Sequence, residues 1–128
     1  MEKIQQYVNR FGSIQKWFHS GKKPYTPETM KVYVNYMEMF CNVLHKTPDA
    51  IISDIKVADR PIDEMENTEK KLALYMIEKI KLRSIQQRLN AFHSFLRANG
   101  IRLTPEIMKQ IRSKIVTHRG LEHLSLRK

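Results

Sequence analysis

Side chains able to carry out acid–base, nucleophilic or metal chemistry are scattered through this chain of 128 residues. The five histidines stand at 19, 45, 93, 118 and 123. None has the HExxH spacing, or any other spacing, that sets two imidazoles on one helical face, so no metal site is expected. The single cysteine, Cys41, sits among apolar residues of a helical pattern, which excludes a disulfide and a Cys-based zinc site. Four glycines, none clustered, make no phosphate-cradling loop. The carboxylates gather mostly within residues 46–69, with no base spaced to work beside them. The chain is therefore expected to catalyse nothing by itself and to use no cofactor and no small-molecule substrate.

Recognition chemistry is better represented. In the stretch KLRSIQQRLNAFHSFLRANGIRL, residues 81–103, Ile85, Leu89, Phe92 and Leu96 recur at helical spacing and require a core. The opposite face carries Arg83, Gln86, Gln87, Asn90, Ser94 and Arg97, with Lys81 and Ser84 at its start. A merely solvated helix usually mixes Glu with Lys. Here nothing acidic occurs between Glu78 and Glu106. Arg and Lys reach phosphates, Gln and Asn can pair bidentately with adenine edges, and Arg with guanine, when a helix lies in a major groove. A second candidate surface surrounds Thr26. Lys22 and Lys23 precede it, and Thr29, Lys31 and Asn35 lie on or beside the face opposite that helix's apolar stripe, at a helix start that favours anions.

The charge distribution points the same way. The formal net charge is +10, and residues 46–69 hold seven acids (Asp49, Asp54, Asp59, Asp63, Glu64, Glu66, Glu69) against Lys46, Lys56 and Arg60, a net of −4 that leaves +14 for the rest. Residues 3–27 and 107–121 contain no acid at all. A basic surface with an acidic pole is the footprint expected for a polyanion partner.

Helices must position these residues. Glycine is scarce and β-branched alternation nearly absent, so the expected fold is all-α, a compact bundle of five to six helices. Three starts share one device: Thr26-Pro27-Glu28, Thr47-Pro48-Asp49 and Thr104-Pro105-Glu106. In each, Thr accepts an N–H bond, Pro presets φ and the acid meets the positive dipole end. Gly21 and Gly100 are placed as C-terminal stops. Helices are expected over 2–20, 27–45, 49–57, 64–81, 84–99 and 105–118. The expected core includes Trp17 and Phe18, the stripe Met30, Tyr33, Met37, Phe40, Cys41, Leu44, and the stripe Leu72, Ala73, Met76, Ile77, Ile80. KVADRPIDEM, residues 56–65, is expected to be a mobile loop. No apolar run approaches the ~18 residues of a membrane span, and MEKIQQYVNR is amphipathic rather than a signal peptide. A cytoplasmic protein is expected.

On these helices the sequence resembles a known family. YTPETMKVYVNYMEMFCNVLHKTPDAIISDI is similar to the opening of the core-binding, SAM-like N-terminal domain of tyrosine recombinases, the phage-type integrases. SIQQRLNAFHSFLRANGI resembles the later helix of that domain, and WFHSGKKPYTPETMKVY looks like archaeal members. The resemblance spans about residues 14–105 and rests on helical patterns. It implies a domain, residues 1–118, that clamps duplex DNA with two helices beginning near Thr26 and Ser84, and self-association on paired sites. It implies also that residues 119–128, ending in LEHLSLRK, form a basic linker or tail toward a catalytic domain outside these residues. The sequence departs from the pattern at Gln87, where the family often has Arg. It also lacks the Arg, His-x-x-Arg and Tyr motifs of catalysis. A stand-alone DNA-binding regulator and a helical protein-interaction module remain open as alternatives. A basic amphipathic helix over 105–118 resting on an anionic membrane is a weaker reading. The expected partner is double-stranded DNA, with no membrane.

Overall fold

A computed structural model describes residues 2–19 and 25–102. These form six α-helices and no strand: α1 (Glu2–Arg10), α2 (Gly12–Phe18), α3 (Pro27–Leu44), α4 (Pro48–Val57), α5 (Pro61–Ile77) and α6 (Leu82–Ala98). The fold is an all-α bundle. The Thr-Pro-acid starts at 26 and 47 act as their chemistry dictates: Thr26 Oγ1 accepts the Thr29 N–H at 3.2 Å and Thr47 Oγ1 accepts the Ala50 N–H at 3.1 Å. The third start, the helix expected over 105–118 and the stop at Gly21 lie outside the described residues. Gly100 takes φ +85, and the amides of Gly100 and Ile101 donate back to Arg97 O and Leu96 O, closing α6 in a Schellman turn. His45 ends α3 in the same left-handed region, at φ 55, a conformation that favours glycine.

Three expectations are corrected. The single helix over 2–20 is broken at Phe11, whose backbone is extended. The break turns α2 so that Ser13, Ile14, Trp17 and Phe18 are all buried. Its open N-terminus is satisfied from a distance, because Asp49 Oδ1 accepts both the Ser13 N–H (2.9 Å) and the Ser13 hydroxyl (2.5 Å). Second, KVADRPIDEM is not a mobile loop. α4 continues to Val57 and α5 starts at Pro61, leaving three linking residues. Pro61 presets the first helical φ, and Asp63 and Glu64 in the first turn complement the dipole. Third, in α3 the residues buried outright are Val34, Met37, Phe40 and Leu44, with Met30, Tyr33 and Cys41 half-buried.

α5 packs on α3, α4 and α6, while α2 lies against α4 and α6 and α1 against α2 and α3. Trp17, Phe18, Phe40, Phe92 and Phe95 fill the centre. The Trp17 ring stacks on Tyr33 at 4.6 Å and meets the edge of Phe95 at 5.3 Å. Phe40 and Phe92 join α3 to α6 edge to face. Asn99 Nδ2 donates to Ser13 O and Phe95 O, tying the end of α6 to α2. Lys46 links α4 and α5 through Asp54 (2.8 Å) and Glu64 (3.6 Å).

Between α1 and α3 the Tyr7 hydroxyl bonds to Cys41. Burial pushes the thiol up to about 11 and raises the phenol as well. Both groups are acids that ionise more readily in the unfolded chain, so unfolding releases protons in alkali and stability falls as pH rises. The expected result is a melting temperature that is level to about pH 9 and declines from there to about 11, the interval set by the ordinary and the folded Cys41 values. The Cys41→Ala protein should decline less over that interval. Parallel melting curves against pH for the two proteins check this.

Candidate nucleic-acid interface

The apolar stripe of α6 is buried as its spacing requires: Ile85, Leu89, Phe92 and Leu96, together with Phe95, face the core. Packing then fixes the opposite face. Arg83, Gln86, Gln87, Asn90 and Arg97 are all exposed, and the exposed Lys81 occupies the cap position. The helix has no acid in its first turn and no side chain capping its first amides. Cations and amides thus line an exposed helix of 17 residues without a carboxylate. That arrangement can neutralise phosphates and donate or accept at base edges.

Other residues selected from the sequence fall differently. Ser84 does not start the helix. α6 begins at Leu82, which places Ser84 in the first turn, half-buried. Ser94 is not part of the exposed face: its hydroxyl accepts the Trp17 indole N–H at 3.1 Å and shares a hydrogen bond with Tyr25 Oη at 3.2 Å. A buried indole needs a partner, and Ser94 supplies it. On α3, Lys31 and Asn35 are exposed. Thr26 and Thr29 bond to each other at 3.0 Å while Thr26 caps the helix, so their hydroxyls serve the helix start. Lys22 and Lys23 lie outside the described residues. α3 meets α6 through Phe40 on Phe92 and through the Arg88 guanidinium, 4.6 Å over the Tyr36 ring, and Tyr25 just ahead of α3 adds its bond to Ser94. Thr26, Thr29, Lys31 and Asn35 are not among these joining side chains.

Two features escaped the sequence reading. Arg88 is half-buried, with its guanidinium over the Tyr36 ring of α3. More consequential is Glu69, counted with the acidic pole but only 1% exposed, and bonded through Oε1 to Nε2 of His93, itself 1% exposed. Glu69 Oε2 and His93 Nδ1 have no further hydrogen-bond partner. A signal for this pair was present. Glu69 interrupts the stripe Met65, Leu72, Met76 at its own spacing, and His93 adjoins Leu89 and Leu96 in the same way, so each polar group sits where an apolar one belongs. The pair is closed off from solvent. Among the described residues no group of three or more His, Cys, Asp or Glu side chains could hold a metal ion, and no helix is long and apolar enough to cross a membrane.

No known protein-family model, curated protein or solved structure matches the chain.

Proposed function

We propose that this chain binds double-stranded DNA, with the exposed face of α6 as its principal contact. One observation carries the reading: Arg83, Gln86, Gln87, Asn90 and Arg97 are exposed together on a helix with no carboxylate, while its apolar stripe is wholly engaged in the core. The net +14 outside residues 46–69 supplies the long-range attraction. Lys31 and Asn35 on α3 are a secondary contact surface. The resemblance of residues 14–105 to the core-binding domain of tyrosine recombinases supports a role in DNA recombination or integration, the strand chemistry belonging to a separate catalytic domain and self-association occurring on paired sites. A helical protein-interaction module is disfavoured by the packing. Among the described residues the exposed large hydrophobics, Val32, Val57, Ile62, Leu74, Tyr75 and Leu82, are spread over four helices, and no described helix keeps a whole apolar stripe in solvent.

A duplex-DNA titration across salt concentrations tests the reading. If about five phosphates are neutralised, log K falls against log salt with a slope of about −4 to −5. No binding at ~50 mM salt, or a flat salt response, would sink it.

A further inference from the structure

Charge divides α5 along its length. Residues 61–69 hold four acids and neither Lys nor Arg, whereas residues 70–83, the second half of α5 and the turn into α6, hold five cations against Glu78. The four-residue turn, 78–81, and the bond between Glu69 and His93 make α5 and α6 an antiparallel pair. The basic half of α5 therefore lies beside the first half of α6, where Arg83, Gln86, Gln87 and Asn90 are exposed. Its acidic half lies beside the second half of α6, where the Ser94 hydroxyl is already taken by Trp17 and Tyr25.

The Glu69–His93 bond also fixes which flank of each helix meets the other. At about 100° per residue, Gln86 and Asn90 stand about 20° and 60° round α6 from His93, toward solvent. Lys70 stands about 100° round α5 from Glu69, with Leu74 one turn further along the helix, and both are exposed. In two right-handed helices running antiparallel these rotations open onto the same side of the pair. The opposite side is the core of Leu72, Leu89 and Phe92. Lys70 and Leu74 thus share one surface with Gln86 and Asn90, and the exposed Lys71 follows on the outer side of α5. Among the described residues no carboxylate pairs with Lys70 or Lys71. A major groove is about 12 Å wide, and the axes of packed helices lie about 8–10 Å apart. With α6 seated in a groove, α5 comes to rest over the phosphates of its wall. We infer that Lys70 and Lys71 of α5 bind phosphates on one wall of the groove that the first half of α6 occupies. This rests on the DNA reading above and adds to it the half of α6 that enters and the flank that grips the backbone. Asp63, Glu64 and Glu66 repel phosphates from the other end of α5, which confines the duplex to the end bearing the α5–α6 turn.

Lys70→Ala/Lys71→Ala in the full chain tests this by duplex-DNA titration across salt. Both side chains are exposed and alanine is the strongest helix former, so the melting curve should hardly move. Loss of two phosphate contacts should lower the salt slope by about two and weaken binding about ten-fold or more at ~0.1 M salt. The loss should be equal for duplexes of different sequence, because phosphate contacts carry no base information. Lys3→Ala/Lys56→Ala removes the same charge from exposed positions on α1 and α4 and should keep the parent slope. The parent slope in a folded Lys70→Ala/Lys71→Ala protein, a loss confined to one DNA sequence, or an equal fall in Lys3→Ala/Lys56→Ala would each overturn the inference. In those cases binding by the parent protein leaves the DNA reading standing; no binding by the parent removes both together.

Discussion

His93→Leu is expected to lower the unfolding free energy by about 3–5 kcal/mol, among the largest effects of any single substitution in this protein. The change leaves the Glu69 carboxylate in the core without the imidazole that bonds it, and Glu69 Oε2 already has no hydrogen-bond partner there. A buried carboxyl group left without its partner carries a heavy desolvation cost. Glu69→Leu leaves the His93 imidazole in the core without its partner and is expected to destabilise as well. In Glu69→Leu/His93→Leu both polar groups are gone and the stripes of α5 and α6 become continuous. That protein should recover most of the loss, since replacing a whole buried pair by apolar residues is often neutral or stabilising. A domain is typically stable by about 5–15 kcal/mol, so the single leucine variant at 93 stands near the edge of folding. Urea denaturation with an unchanged m-value reads the four proteins. All variants lying within about 0.5 kcal/mol of the parent, as ordinary surface changes do, would show that the pair carries no energetic weight.

Gln87→Glu/Asn90→Asp should weaken DNA binding by ten-fold or far more while leaving the fold intact. Both side chains are exposed on α6, whereas Ile85, Leu89, Phe92 and Leu96 are buried and untouched. If the face were only solvated, the two changes would move stability by no more than about 0.5 kcal/mol and affinity hardly at all. Against DNA each replacement loses amide donors and adds repulsion from phosphates, and a good base contact is worth about 1–3 kcal/mol. Arg83→Ala acts differently. Removing one phosphate contact weakens binding to every sequence and lowers the salt slope by about one. Titrations beside melting curves separate these outcomes. Unchanged affinity in a folded double variant would remove α6 from the DNA surface.

Much of this architecture is local and was legible in the order of residues. The two described Thr-Pro-acid starts, the Gly100 stop, the stripe of α6 and the exposure of its amides and guanidiniums stem from capping chemistry and a 3.6-residue period, which involve residues no more than about five apart. Thr26, Thr47 and Gly100 each do what a neighbour three to five residues away requires. The carboxylate-free character of α6 is likewise a property of sequence, since no fold can add an acid between Glu78 and Glu106.

Partners far apart in the chain account for the features that spacing could not reveal. The break at Phe11 has no proline to announce it. It is stable because Asp49, 36 residues away, caps the amide of Ser13 and lets α2 turn its whole apolar face inward. Ser94 sits among the exposed residues of α6 on a helical wheel, yet its hydroxyl is taken by Trp17, 77 residues away, and by Tyr25. Glu69 belongs to an acidic run by sequence and to the core by structure, because His93 on the neighbouring helix offers the hydrogen bond that makes its burial tolerable. Helical periodicity states which side of each helix is buried. Which helix lies against that side, and therefore which polar group finds a partner, is set by packing the five large rings of the centre together.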